Sequence, residues 1–228
     1  MSTEIIVALN TSSIEEALKW VDTLGELQKF YKVGLPLYLR YGKVIIDELR
    51  KRGKRIFLDL KLHDIPSVVA ESIKPFERGD AEILTIHITG GEKMLRESIH
   101  VAREKGINLA GVTLLTSLSR LDVQRLFAYP CELERVVESM ITVAVECGLD
   151  FVVLSGQEVK KIGLNFKGKI GFIVPAVRLE GEEVQDQERV ISPQEAKVLG
   201  VNYIVVGRPI THSTDPVRAL QMYQKALE

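Results

Sequence analysis

Short runs of valine, isoleucine and leucine alternate with amphipathic segments along the whole chain. Most of these runs are continuously apolar, which is typical of parallel strands that are covered on both faces. The segments between them repeat their apolar positions with the period of a helix. The runs predict eight strands, at Ile5–Leu9, Phe30–Gly34, Ile56–Lys61, Ile83–His87, Ala110–Leu115, Phe151–Leu154, Ile170–Val174 and Tyr203–Val206.

Eight strand–helix units in 228 residues predict an α/β protein, a single (β/α)8 TIM barrel over residues 1–228. An open doubly wound sheet is the alternative, but the first strand lacks the GxGxxG turn of nucleotide-binding sheets. Ser12-x-x-Glu15 and Ser192-x-x-Glu195 read as capping boxes and predict two helix starts. We also expect a broken helix within 118–135 and a long polar loop over 177–191.

Composition narrows the class of protein without identifying a function. Lys and Arg number 30 against 31 Asp and Glu, so the net charge of -1 predicts neither a nucleic-acid nor a membrane partner. Cys131 and Cys147 do not form a CxxC pair, so they provide no zinc-binding motif. The N-terminus has no basic segment, and its apolar run is too short for a signal peptide or a span. We therefore expect a cytoplasmic protein.

The third predicted strand carries charges on one of its two faces. Side chains alternate along a strand, so Phe57, Asp59, Lys61 and His63 should share one face, opposite an entirely apolar one. Burying opposite charges on a strand costs desolvation free energy. Buried charged residues are therefore often found at sites where the charges take part in chemistry. A structural ion pair at the strand end is the alternative interpretation of these residues taken alone.

In a barrel, active sites lie at the carboxyl ends of the strands. Lys32 interrupts the second predicted strand, and we expect it to converge with Lys61 on Asp59. Opposite charges about 4 Å apart attract by roughly 4 kcal/mol at an effective dielectric near 20. A row of alternating lysine and aspartate side chains can therefore stay ionised in a closed pocket. Other polar residues at or just after the ends of predicted strands are Asn10, Asp64, His87, Thr116, Arg178 and Arg208.

Gly207 and Arg208 follow the eighth predicted strand and suggest an anion site. Glycine allows close approach of the backbone to an anion, and arginine offers a two-pronged donor for phosphate oxygens. Barrel enzymes often bind phosphate in the loops after strands seven and eight, so Arg178 and Gln187 could contribute. A turn with a surface arginine is the alternative. His87 is taken as structural, and no metal or cofactor motif is visible, so no cofactor is expected.

These residues resemble the orotidine 5′-phosphate decarboxylase family over essentially the whole chain. The segment Phe57–Pro66 is similar to the family's Asp-x-Lys-x-x-Asp-Ile-Pro signature, and Leu115-Thr116-Ser117, Pro175–Arg178, Asp186–Val190 and Gly207-Arg208-Pro209 are similar to further family segments. The resemblance implies a metal- and cofactor-independent barrel that decarboxylates orotidine 5′-phosphate to UMP, the last step of de novo pyrimidine biosynthesis.

The resemblance also implies roles for individual residues. Lys61 would protonate C6 of the pyrimidine, Asp59 would lie near the substrate carboxylate, and Lys32 would bridge Asp59 and the ribose. The enzyme would be a homodimer in which Asp64 reaches the partner's site. Thr116 would read the pyrimidine edge and Ile65 would pack near the ring. The 5′-phosphate would be held by Arg178, Gln187, Gly207 and Arg208.

Three positions depart from the family pattern. Asn10 stands where aspartate is usual, Val68 where threonine is usual, and Ala176 where glycine is usual. By the resemblance, the first two positions contact ribose hydroxyls. Valine cannot hydrogen-bond through its side chain, and asparagine cannot act as an anionic acceptor. We therefore expect weaker ribose binding than in the family at large.

Three other functions fit part of the pattern. Related magnesium-dependent barrels share Asp-x-Lys-x-x-Asp and decarboxylate or condense sugar phosphates, but Ile65-Pro66 argues against them. A catalytically inactive nucleotide-binding barrel would explain the ribose-site changes, whereas the intact Asp59 and Lys61 oppose it. A phosphate-binding barrel of amino-acid biosynthesis has no reason to carry paired lysines.

Overall fold

Eight parallel strands close into a barrel in sequence order, and the first strand pairs with both the second and the eighth. The computed structural model describes residues 3–128, 130, 132–179 and 190–228. The predicted (β/α)8 barrel is therefore confirmed. The strands are β1 Glu4–Leu9, β2 Phe30–Gly34, β3 Arg55–Leu62, β4 Ile83–His87, β5 Asn108–Val112, β6 Phe151–Val153, β7 Gly171–Pro175 and β8 Tyr203–Val206.

Helices cover the outside of the barrel between successive strands. Within the described residues they are α1 Ile14–Leu24, α2 Leu35–Tyr41, α3 Lys43–Lys51, α4 Pro66–Ile73, α5 Gly91–Lys105, α6 Arg120–Phe127, α7 Leu133–Cys147, α8 Gly156–Ile162, α9 Pro193–Val198, α10 Arg208–Thr211 and α11 Pro216–Ala226. Short 3-10 turns occupy Gly25–Leu27, Ile88–Gly90 and Gly163–Phe166. The break between α6 and α7 confirms the broken helix predicted within 118–135.

Two apolar layers stabilise the barrel and orient β3. Outward-facing strand residues such as Ile56, Leu58 and Leu60 pack with the helices in the larger core. Inward-facing residues, Phe57 among them, fill the interior together with Ile6, Ala8, Phe30, Ile83, Ala110, Ile173 and Val205. Because β3 alternates in this way, Asp59 points into the barrel one layer above Phe57.

A charged cluster around Arg55 lies at the amino-terminal end of the barrel. Its guanidinium bonds Glu4 at 2.5 Å and Glu82 at 2.6 Å, and it lies 4.2 Å from the centroid of the Phe30 ring. This cluster is at the end where barrel enzymes carry stability rather than chemistry. The functional site is therefore expected at the other end, where the strands have their carboxyl ends.

Two local expectations were wrong. Helix α1 is capped by Ser13, whose hydroxyl accepts from Glu16 N–H at 3.2 Å, and not by Ser12. Strand β5 ends at Val112 rather than Leu115, and the Thr113 N–H and hydroxyl that follow it both donate to the Val153 carbonyl. The capping box at Ser192 and Glu195 is confirmed, with Pro193 as the first helical residue.

Candidate active site

Lys32, Asp59 and Lys61 form a charge row at the carboxyl end of β2 and β3. Lys61 Nζ lies 2.6 Å from Asp59 Oδ1, and Lys32 Nζ lies 3.0 Å from Asp59 Oδ2. The side chains of Lys32 and Asp59 are each 13% exposed, and that of Lys61 is 31% exposed. Each carboxylate oxygen thus faces one ammonium group, and the predicted convergence of the two lysines on Asp59 is confirmed.

The charge row keeps Asp59 ionised. Burial by itself would raise the pKa of this carboxyl group, but the charges of Lys32 and Lys61 and their hydrogen bonds outweigh burial and lower the pKa to about 2. At neutral pH the row is therefore cation–anion–cation. Its excess positive charge faces the barrel mouth, where an anionic ligand would be attracted.

The backbone of β3 is irregular where it carries Lys61. Lys61 has a φ of 49°, a left-handed conformation that costs a non-glycine residue roughly 1–2 kcal/mol. The pairing register with β4 shifts between Leu58 and Leu62, so the strand bulges there. Regular alternation therefore does not describe Lys61, although its side chain still reaches Asp59.

A buried threonine, Thr85 on β4, contacts this bulge. The sequence patterns did not predict that Thr85 belongs to the site. The Thr85 hydroxyl accepts from the Lys61 N–H at 2.8 Å and donates to Asp59 Oδ1 at 3.1 Å. The side chain is fully buried. A hydroxyl at an inward-facing position of an apolar strand was the available signal, since Thr85 lies two residues after the interior residue Ile83.

A cavity of about 190 Å3 opens beside the charge row at the ends of β1, β7 and β8. It brings together residues predicted to bind the substrate's ribose and phosphate, with Lys32 and Asp59 in its wall. Arginine side chains and a glycine in one wall suit an oxyanion such as phosphate. Its lining is Ala8, Asn10, Lys32, Asp59, Pro175, Ala176, Arg178, Val205, Gly207 and Arg208.

A neighbouring cavity of about 150 Å3 shares Lys32 and Asp59 with the first and adds Lys61 and Thr116. Thr116 lies in a turn four residues after the end of β5 and lines this cavity. Apolar side chains make up most of the other walls: Phe57, Val112, Leu114, Leu115, Val153, Ile173, Pro175 and Val205. The charge row thus lies between a polar compartment and an apolar one, each lined by several strand ends.

Arg178 and Gly207 are held by local backbone geometry. Val177 and Ile191 form an isolated parallel bridge, and the Arg178 N–H donates to the Ile191 carbonyl at 3.1 Å. The Arg178 side chain is buried and donates to the Val177 carbonyl at 3.0 Å. At Gly207 a Cβ atom would lie 2.9 Å from Asn10 Nδ2, so glycine makes room for that amide. Gln187 lies outside the described residues.

Asp64 and Ile65 do not join the charge row within one chain. Both are exposed in the segment between β3 and α4, and the Asp64 carboxylate accepts from the Ile65 N–H at 2.6 Å. Neither residue lines the two cavities. Ile65, which precedes α4, is 63% exposed.

His87 is half-buried at the end of β4, with its ring centroid 5.2 Å from that of His63. Burial lowers the pKa of His87, and the neighbouring His63 and Lys61 lower it further, against the opposing effect of Asp59. The neutral form of the ring is therefore favoured over the protonated form. Among the described residues, no three His, Cys, Asp or Glu side chains are grouped to hold a metal ion, and no helix is long and apolar enough to cross a membrane.

Comparison with known proteins gives a single family. Residues 3–223 match the model of the orotidine 5′-phosphate decarboxylase / HUMPS family. Orotidine 5′-phosphate decarboxylases of Fusobacterium nucleatum and Coxiella burnetii are 38% and 36% identical to the chain over 230 residues, covering 100% and 99% of it and 97% of each relative. The crystal structure of the Lactobacillus acidophilus orotidine 5′-phosphate decarboxylase superposes with a TM-score of 0.87 at 31% identity, over 99% of both chains.

Proposed function

Because the chain belongs to the orotidine 5′-phosphate decarboxylase / HUMPS family, we propose that it converts orotidine 5′-phosphate to UMP and carbon dioxide. The observation that carries the proposal is the charge row, in which Asp59 has lysine nitrogens at 3.0 and 2.6 Å. The row lies between a cavity suited to phosphate and an apolar cavity suited to a flat ring.

The proposed decarboxylation requires a cation beside C6 of the pyrimidine ring. When the bond between C6 and the carboxyl carbon breaks, its electron pair stays on C6, where no adjacent group can delocalise it. Enzymes at the upper end of catalysis lower such barriers by roughly 20 kcal/mol or more. The Lys61 ammonium would stabilise the developing carbanion and donate a proton from Nζ to C6, after which water would reprotonate the amine.

Asp59 has two roles in this mechanism. Its low pKa keeps it anionic, so it orients Lys61 and Lys32 before the substrate arrives. It would also lie near the substrate carboxylate, whose departure as neutral carbon dioxide removes a repulsion between two anions. Lys32 would bridge Asp59 and a ribose hydroxyl and partly offset that repulsion.

Substrate binding would use the remaining lining residues. Arg178, Gly207 and Arg208 would hold the 5′-phosphate, joined by Gln187, and Asn10 would contact the ribose. Thr116 would hydrogen-bond the pyrimidine edge. Because the phosphate is remote from C6, its binding energy could hold the ring against the charge row and exclude water.

We further propose that the active form is a homodimer in which Asp64 extends the row of the partner subunit. Asp64 is exposed in the single chain, and so are the neighbouring apolar side chains of Ile65 and Val68, at 63% and 42%. A second copy would cover these side chains and place Ile65 near the partner's pyrimidine ring. The alternating order lysine, aspartate, lysine, aspartate would then be complete.

Turnover by chelated protein tests the proposed reaction. Protein treated with EDTA should consume orotidine 5′-phosphate and release UMP, and the rate should not change when Mg2+ is added. The ultraviolet absorbance of orotidine 5′-phosphate follows its consumption. The proposal would be overturned by no release of UMP. A strict requirement for Mg2+ would instead favour the metal-dependent sugar-phosphate chemistry of related barrels.

A further inference from the structure

Thr85 connects Asp59 and Lys61 of β3 through one hydroxyl group. The hydroxyl accepts the Lys61 N–H at 2.8 Å, so its proton is directed to Asp59 Oδ1 at 3.1 Å. The same carboxylate oxygen accepts from Lys61 Nζ at 2.6 Å. Backbone, hydroxyl, carboxylate and ammonium thus form a closed hydrogen-bonded ring that contains the side chain proposed to protonate C6.

The strand pairing explains why a side chain is needed here. Leu58 pairs with Leu84, but Leu62 pairs with Ile86, so four residues of β3 are matched to two of β4. The extra residues leave the Lys61 N–H without its regular partner on β4, and the Thr85 hydroxyl takes that place. A buried N–H without an acceptor is costly, so this contact stabilises the bulge and its left-handed lysine.

We propose that Thr85 is a positioning residue for catalysis: its hydroxyl fixes the β3 bulge in the conformation that directs the Lys61 ammonium to the reacting carbon. The proposal rests on the decarboxylase function proposed above. Valine is close to threonine in size and shape but has no hydroxyl, so Thr85→Val removes the two hydrogen bonds of the hydroxyl and leaves the buried space filled. Displacing a catalytic group by about 1 Å can lower a rate on the order of a hundredfold.

The test compares wild-type protein with Thr85→Val, Thr85→Ser and Thr113→Val. Thr113 is the matched control, since it is a buried threonine at the end of β5 whose hydroxyl donates to the Val153 carbonyl and not to a residue of the charge row. We expect Thr85→Val to lower kcat at least tenfold with KM changed less than threefold. Thr85→Ser and Thr113→Val should keep kcat within threefold of wild type.

Hydrogen exchange of the Lys61 amide supplies a readout that does not depend on the reaction. In Thr85→Val this amide should exchange at least tenfold faster, while the amides of β5 and β6 stay unchanged. If circular dichroism shows that Thr85→Val does not fold, Thr85→Ala replaces it, and the same changes in kcat and in exchange are expected. An unchanged kcat overturns the proposal, and so does a lower kcat with unchanged exchange at Lys61.

Failure of the proposed function would look different. Wild-type protein that releases no UMP would overturn the decarboxylase assignment, whatever the exchange rates. Faster exchange at Lys61 in Thr85→Val would then still support the hydroxyl as the element that holds the bulge, and unchanged exchange would overturn that too.

Discussion

Replacing Asp59 by asparagine removes the negative charge that both lysines of the charge row face, at nearly constant volume. At about 3 Å, and with an effective dielectric near 20, each lysine attracts the carboxylate by roughly 5 kcal/mol before desolvation is counted. Burial opposes this attraction. The net effect is the fall of the pKa of Asp59 from 3.8 to about 2, which corresponds to roughly 2 kcal/mol of folding free energy.

The sign of the pH dependence follows from the lowered pKa. A carboxyl group that is more acidic in the folded state stabilises the fold above its unfolded pKa of 3.8, and the stabilisation is lost as the pH falls toward 2. Asp59→Asn should therefore cost about 2 kcal/mol at pH 7 and at pH 5. The difference from wild type should shrink to roughly 1 kcal/mol at pH 3.

Urea unfolding followed by circular dichroism measures this difference, at one protein concentration so that association is held constant. Asp22→Asn is the matched control, because Asp22 is 59% exposed and pairs with Arg52 at 2.8 Å on the surface. It should change the free energy of unfolding by less than about 1 kcal/mol. An Asp59→Asn protein as stable as wild type at pH 7 would refute the reasoning, and so would a loss that does not vary with pH.

Three further predictions concern the substrate site. Asn10→Asp combined with Val68→Thr should lower the KM for orotidine 5′-phosphate several-fold by restoring ribose acceptors, and an unchanged KM in steady-state kinetics would contradict this. Ala176 has a φ of 61°, so Ala176→Gly should raise the free energy of urea unfolding by up to about 1 kcal/mol; a decrease would count against strain there. Mixing inactive Lys61→Ala and Asp64→Ala subunits should restore activity in the mixed dimers, whereas no recovery would argue that Asp64 acts within its own chain.

The sequence predicted the barrel and the charge row because both depend on periodic patterns. Continuously apolar runs identify buried parallel strands, and alternation along β3 orients Phe57 and Asp59 toward the interior. The carboxyl-end rule then brought Lys32 and Arg178 to the same site. None of these inferences needed the tertiary structure in detail.

The β3 bulge was missed because it depends on contacts between distant segments, whereas the cap of α1 was missed because two local patterns compete. The bulge at Lys61 arises from pairing with β4, and the part that Thr85 has in it cannot be read from either strand alone. The cap of α1 was misplaced by one residue because Ser12 and Ser13 both precede a glutamate by three positions. Thr11 accepts the Ser13 N–H at 3.0 Å and bonds Glu16, which selects Ser13.

Turnover of orotidine 5′-phosphate by Lys61→Ala, beside wild type and Lys74→Ala, tests the central claim most directly. Lys74 is 55% exposed and pairs with Glu71 on the surface, so its loss controls for removal of a lysine charge. We predict that wild type and Lys74→Ala release UMP at rates within twofold of each other. Lys61→Ala should be slower by at least about a thousandfold. Equal turnover by all three proteins would contradict the account.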